Sequence, residues 1–405
     1  DITPTGYNGN AGVTDIGEQM PANIGRLSPV LGEKPRKPLG GIPGLVYRSI
    51  HGVTRAVGFG FEAAVALGTS KAVDAPSSPR REALVAALNG VVGDHLAATD
   101  NPLAIAMSFR RDGQPLMLDR RSLAAAVAPA GRRIVVLVHG LCRNDLGWRR
   151  DGHDHGASLA ADLGYTPVYL HYNSGRHVST NGREFSGLME RLLGEWPEPV
   201  EELVIVAHSM GGLVARSACH YGRLAGHQWL QSLGKMIFLG TPHHGSPLER
   251  AGHWTEILLG VSPYTAPLGN LGAVRSDGIT DLRFGSVRDE DWMKRRGARA
   301  HDPRRLVPLP RRVKCYAIAA SRRPDPGGAR KRLPGDGLVP VTSALGQHHE
   351  DALALPIPKS RTCVVHGLAH LDLLGSREVY DRIRAWLSEE GEFSLSTARR
   401  VRRGT

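Results

Sequence analysis

Ser209 lies in Leu203-Val204-Ile205-Val206-Ala207-His208-Ser209-Met210-Gly211-Gly212-Leu213-Val214, an apolar run, a serine set among small residues, then a helix-like pattern. A strand, a very sharp turn and a helix read this way when the turn must present one hydroxyl. The Oγ would stand above the carboxyl end of a sheet, with the following amides at a helix N-terminus. A serine by itself is a weak nucleophile at neutral pH, so this chemistry requires a base and an orienting acid elsewhere. The competing reading is an ordinary strand-to-helix connection with a capping serine. The small residues around Ser209 favour the nucleophile.

Three later or earlier loops offer the missing groups. After an apolar strand comes His139-Gly140-Leu141-Cys142-Arg143-Asn144-Asp145. An amide of this loop, that of Leu141, would join the amide of Met210 to hold the negative oxygen of a tetrahedral intermediate. Gly335-Asp336-Gly337-Leu338-Val339-Pro340 puts a carboxylate between two glycines on a tight turn, although Asp-Gly is also a common turn dipeptide. His366-Gly367-Leu368-Ala369-His370-Leu371-Asp372 supplies two histidines in the last loop, where a Ser, Asp, His chain order places the base. His366 closes a strand, whereas His370 has the reach of a longer loop. His139, His208, Trp148 and His243 are further candidates for the substrate pocket. The pairs His243-His244 and His348-His349, and the triplet His153-Asp154-His155, show neither a helical i, i+4 zinc pair nor a cysteine partner, and read as loop histidines.

The elements that must position these groups are legible as rhythm. Arg133 to Val138, Thr166 to His171, Leu203 to Ala207, Lys235 to Leu239, Val313 to Ala319 and Thr362 to Val365 are continuous apolar strands separated by helical stretches. That pattern predicts a mostly parallel sheet covered by helices on both faces, with its functional loops at one edge. Phe109 to Leu118 reads as a hairpin turning on Asp112-Gly113. Residues 1–43 read as a flexible arm and 44–105 as a helical extension, with stripes from Gly44 to Ala64 and from Arg80 to Leu96. The catalytic domain spans 106–400, with a cap over 246–310 that carries Trp254, Ile257, Leu258, Leu259, Tyr264 and Leu268. A basic tail covers 397–405.

The composition, 41% hydrophobic and 22% charged over 405 residues, is that of a globular protein and excludes bulk disorder. A net charge of +12 suits anionic surfaces, yet the charge is dispersed and no nucleic-acid motif is present, which leaves a lipid interface as the favoured anionic partner. Cys142, Cys219, Cys315 and Cys363 lack metal-ligand spacing. Cys142 and Cys219 sit in apolar contexts as buried thiols, and Cys315 and Cys363 read as reduced core residues in preference to a cross-strand disulfide. No run is long enough to span a membrane. No signal peptide is visible, so a cytoplasmic or peripheral-membrane location is expected before a secreted one.

Five segments together resemble bacterial triacylglycerol lipases and the related GPI-inositol-deacylase-like hydrolases. They are Val138-His139-Gly140-Leu141, Ala207 to Gly212, Leu239-Gly240-Thr241-Pro242-His243-His244-Gly245-Ser246, Gly335 to Pro340 and His370-Leu371-Asp372. The resemblance covers about Arg132 to Leu387 and implies an α/β-hydrolase fold. It implies Ser209 as nucleophile, Asp336 as acid, His370 as base, and the Leu141 and Met210 amides as oxyanion hole. Ala207 departs from a glycine in many members, and remains small enough for the turn. No cofactor is implied. Some members hold a structural calcium through an aspartate two residues after the histidine, the position of Asp372. The expected activity is hydrolysis of lipid-like acyl esters. Acyl transfer, polyester cleavage and non-catalytic lipid binding are the alternatives.

Overall fold

The computed structural model describes residues 78–246, 276–293, 305–324 and 335–388. The arm at 1–43, the stripe from Gly44 to Ala64, the apolar residues from Trp254 to Leu268 and the basic tail lie outside the described residues.

Eight strands form one sheet, in the order β2-β1-β4-β3-β5-β6-β7-β8. They are β1 (Ser108–Arg111), β2 (Gln114–Pro115), β3 (Arg133–Val138), β4 (Thr166–His171), β5 (Glu202–His208), β6 (Leu233–Leu239), β7 (Lys314–Ser321) and β8 (Thr362–His366). The β1–β2 hairpin turns through Asp112 and Gly113, whose φ angles of 51° and 76° are those of the expected Asp-Gly turn. It joins β4 antiparallel, and every neighbouring pair among β3 to β8 is parallel. Ile134 to Val138 and Leu203 to Ala207 are wholly buried, as strands of a sheet covered on both faces must be. The parallel run then collects the loops after β3, β5, β6, β7 and β8 at one edge.

Seven helices matter for that edge: α1 (Pro79–Ala98), α2 (His155–Leu163), α3 (Val178–Gly194), α4 (Met210–Ala225), α5 (Asp277–Leu282), α6 (Asp289–Met293) and α7 (Arg377–Ser388). Helix α1 starts where Ser78 Oγ accepts the Arg81 amide and Pro79 takes the first helical position. Its Ala87, Leu88, Val91, Val92 and Leu96 belong to the same core as the sheet. Two of its carbonyls are also tied to distant segments, Gly90 O by Ser276 Oγ at 2.7 Å and Gly93 O by Asn173 Nδ2 at 2.8 Å. The helix read from sequence as part of an extension is therefore packed into the central core.

At the opposite, amino edge, Glu202 accepts from Tyr165 Oη at 2.7 Å and Lys235 Nζ at 2.6 Å, and pairs with Arg133 at 2.9 Å. This satisfies a partly buried carboxylate and the buried Lys235 together. All four cysteines are free thiols, and the register sets Cys363 beside Ile318 rather than Cys315. Among the described residues, no helix is long and apolar enough to cross a membrane.

Candidate active site

Strand β5 ends at His208, and α4 begins at Met210, leaving one residue to reverse the chain. That residue is Ser209, with φ 55° and ψ −126°, a conformation a non-glycine residue holds only under constraint. The constraint is visible on both sides. The Ser209 amide donates to Leu239 O at 2.8 Å, and the Gly212 amide donates to Ser209 O at 3.1 Å. A Cβ on Gly211 would lie 2.4 Å from Val138 O, so α4 approaches the end of β3 only because that position is glycine. A Cβ on Gly140 would meet Ser209 Cβ at 2.9 Å, which puts the loop after β3 directly against the serine.

The loops after β7 and β8 bring Asp336 and His370 together. His370 Nδ1 donates to Asp336 Oδ2 at 2.7 Å, and both side chains are buried. The other carboxylate oxygen accepts the amides of Leu338 and Val339, at 2.9 and 2.7 Å. A second link, His370 N–H to Asp336 O at 3.1 Å, fixes the loops to each other. With Nδ1 protonated toward the carboxylate, the neutral ring carries its lone pair on Nε2, the arrangement a general base needs. Of the two histidines in the last loop, Asp336 pairs with His370, the one the sequence favours. His366 stays at the end of β8, paired in register with Ser321.

His208 joins the serine turn to the histidine loop. Its ring lies 4.7 Å from that of His370, and its Nε2 donates to His370 O at 3.1 Å. A carbonyl accepts only, so Nε2 carries the proton and Nδ1 is bare. Burial, then the adjacent His370, hold the His208 pKa well below the ordinary histidine value. The ring is a neutral support.

The other pocket candidates are also buried. His139 stacks on Tyr172 at 4.3 Å and donates from Nδ1 to Gly140 O at 2.9 Å. Burial pulls its pKa down to about 3. Trp148 packs edge-on to His155, and His243 packs edge-on to Phe238 while accepting from Arg216. The Leu141 loop is shaped by Cys142, at φ 58°, whose amide donates to Ser174 Oγ at 3.0 Å. Met210 is the first residue of α4, so its amide has no carbonyl one turn back to bind.

Asp372 caps the turn that carries His370. One oxygen accepts the Ala369 amide at 2.9 Å and the other meets Arg150 at 3.2 Å. A calcium site needs several converging oxygens, and a guanidinium in their place does not fit one. Among the described residues, His348, His349 and Glu350 are the three whose donor atoms cluster as for a metal, within 4.8 Å. They are largely exposed, and His348 Nδ1 already accepts the Glu350 amide. A contact the sequence did not disclose is the relay from His153 through His155. His153 Nε2 donates to His155 Nδ1 at 2.8 Å, and His155 Nε2 donates to Leu373 O at 2.9 Å, fastening the His370 turn from behind. Nothing local in the sequence marks it, because the acceptor lies 218 positions away.

Sheet order, a serine turn after β5, and an acid and a histidine after β7 and β8 define an α/β-hydrolase fold. A family model described as "Domain of unknown function (DUF7379)" matches residues 109–277. No curated protein matches the chain. Among solved structures, the mature lipase BlEst2 of Bacillus licheniformis is 18% identical with a TM-score of 0.39, over 66% of this chain and 92% of its own. The Pyrococcus furiosus esterase PF2001 is 15% identical with a TM-score of 0.37, over 65% of this chain and 81% of its own. Phospholipase PlaB of Legionella pneumophila is 17% identical with a TM-score of 0.39, over 60% of this chain and 53% of its own, so the chain spans about half of that protein.

Proposed function

We propose that this protein is a serine hydrolase of carboxylic esters, acting on lipid-like or small acyl esters through an acyl-enzyme. His370 Nε2 takes the Ser209 proton as Oγ attacks the ester carbonyl. The amides of Met210 and Leu141 receive the developing oxyanion. His370 then returns the proton to the departing alcohol, and water, activated by the same ring, releases the acid. Asp336 orients the imidazole and favours its charged form. The observation that carries this reading is the buried 2.7 Å bond between His370 and Asp336 at the edge where Ser209 is held at φ 55°. Structural uses of an Asp-His pair are common, but they do not call for a strained serine on the adjoining loop.

The test is covalent. A fluorophosphonate should label the wild-type protein at Ser209, and Ser209→Ala should neither take the label nor cleave short p-nitrophenyl esters. Wild-type turnover by Ser209→Ala would sink the proposal. Product analysis with an added alcohol then separates hydrolysis from acyl transfer, and profiling esters by chain length places the substrate between lipid and soluble ester.

A further inference from the structure

Arg143 sits three residues beyond Gly140, the residue that touches Ser209, in the loop that also carries Leu141. Its Nε and Nη2 are shut off from solvent and have no hydrogen-bond partner. The acids of its own loop and of the His370 turn are spent elsewhere. Asp145 is shared by Arg110 at 3.4 Å and His171 at 3.2 Å, and Asp372 is held by Arg150. The stem of Arg143 runs beside Gly147, with Cδ 3.9 Å from where a Cβ would stand on that glycine. Its charge bears on His208, the ring that supports His370, and is itself opposed by Arg150. Burial above all lowers its pKa, yet a guanidinium has no accessible neutral form at physiological pH. A cation with two donors shielded and unpaired in this way is unfavourably placed unless an anion joins it.

We infer that Arg143 is an anion subsite beside Ser209, and that the ester this protein handles carries a phosphate or carboxylate within a few bonds of the scissile carbonyl. The planar fork of a guanidinium binds either group through two parallel N–H donors. The inference rests on the ester-hydrolase reading for its substrate, and its test is arranged so that the two fail separately. It also accounts for the position of the cation: a group at the oxyanion loop discriminates between substrates according to the charge next to the reacting carbon.

Two matched pairs of substrates read the subsite by turnover. One pair sets a p-nitrophenyl monoester of a dicarboxylic acid against the p-nitrophenyl ester of a fatty acid of equal length. The other sets phosphatidic acid against diacylglycerol in the same mixed micelles. Wild type should favour the charged member of one pair by about 10- to 100-fold in kcat/KM, the range of a charge-assisted hydrogen bond. Arg143→Gln should collapse that ratio, and Arg143→Lys should keep part of it. The pair that responds identifies carboxylate or phosphate as the natural group. Equal ratios in wild type and Arg143→Gln, for both pairs, overturn the subsite while leaving the hydrolase reading intact.

If no ester turns over, thermal melting with inorganic phosphate decides. Phosphate should raise the wild-type Tm and leave that of Arg143→Gln unmoved. Without phosphate, the variant should melt no lower than wild type, because it removes a charge with two shielded, unpaired donors. A variant that melts lower, together with a wild type indifferent to phosphate, makes Arg143 a structural residue and ends the proposal. A wild type that responds to phosphate through Arg143 without cleaving any ester retains the subsite and ends the hydrolase reading.

Discussion

The histidines at the carboxyl edge of the sheet and the histidine at the start of α3 experience opposite fields. At the edge, His139, His155 and His208 are buried among apolar groups and carbonyls, and desolvation dominates. It pulls His139 to about 3 and His155 to about 4. His177, which precedes α3, is desolvated too, and its burial likewise works to pull its pKa down. Yet its Nδ1 lies 3.1 Å from Asp281 and its Nε2 3.3 Å from Asp277, and together with Asp94 these carboxylates leave its pKa raised. One side-chain type therefore builds a neutral scaffold in one region and, in the other, a clasp that favours the cation. The difference is the partner: carbonyl oxygens select a neutral tautomer, whereas carboxylates favour the cation. Around Ser209 a neutral scaffold is useful, because charge that develops during reaction then falls on His370, whose ring, unlike those of His139, His155 and His208, meets a carboxylate directly.

Asp336→Asn breaks that exception and carries the largest expected effect. An amide cannot accept from Nδ1 as a carboxylate does, so the ring loses both its tautomer and the charge that stabilises its cation. A fall in kcat of about 10⁴-fold on short esters is expected, with the fold retained. A variant within tenfold of wild type would show that the carboxylate only braces two loops.

His155→Gln tests the neutral scaffold through stability. The folded pKa of His155, about 4, lies below the ordinary 6.5, so its contribution is complete above pH 6.5 and is lost as pH falls toward 4. The loss is on the order of 3 kcal/mol. Glutamine does not titrate, so the variant should start less stable at pH 7, having lost the relay to Leu373, and then decline less steeply between pH 6.5 and 4. Thermal melts across that range check it. Parallel declines in the two proteins would remove His155 from the acid response.

Much of this arrangement was legible in the residues. Continuous apolar runs mark β3 and β4 at the bounds observed, because a strand buried on both faces has no polar alternation to blur it. Asp112-Gly113 announces its hairpin for a local steric reason. The order Ser209, Asp336, His370 was readable because each group follows its own strand, and parallel strands send those loops to one edge. The preference for His370 over His366 rested there on the reach of its loop alone, because which ring meets Asp336 is decided across 34 positions. Arg143 is equally opaque in sequence: its type is ordinary, and only packing reveals that two of its donors are shielded and unpaired. The role of His177 is hidden for the same reason, as its partner Asp281 is 104 positions away.

The clasp at His177 carries the smallest effect and the one most specific in sign. Nδ1 of His177 meets Asp281, whose other contact is the Val178 amide at 2.9 Å, and the ring stacks on Trp292 at 3.9 Å. These contacts join α3 to α5 and α6, while the Asp277 amide reaches Asp94 of α1 at 3.2 Å. Burial raises the carboxyl pKa values of Asp94 and Asp277, so they add to a preference for the more protonated state. A histidine with a folded pKa above 6.5 contributes stability fully below pH 6.5 and loses it as pH rises through the folded value. The slope is therefore opposite to that of His155 and falls on the alkaline side. His177→Gln keeps a hydrogen bond to Asp281 but cannot charge, so its Tm should be flatter than wild type above pH 6.5, with a difference smaller than that at His155. Proteolysis of the 276–293 segment should rise with pH in wild type and hardly change in the variant. A wild type whose segment is cut equally at pH 6 and pH 8 would show that stacking on Trp292, rather than charge, holds the helices, and the contrast between the two regions would rest on the edge histidines.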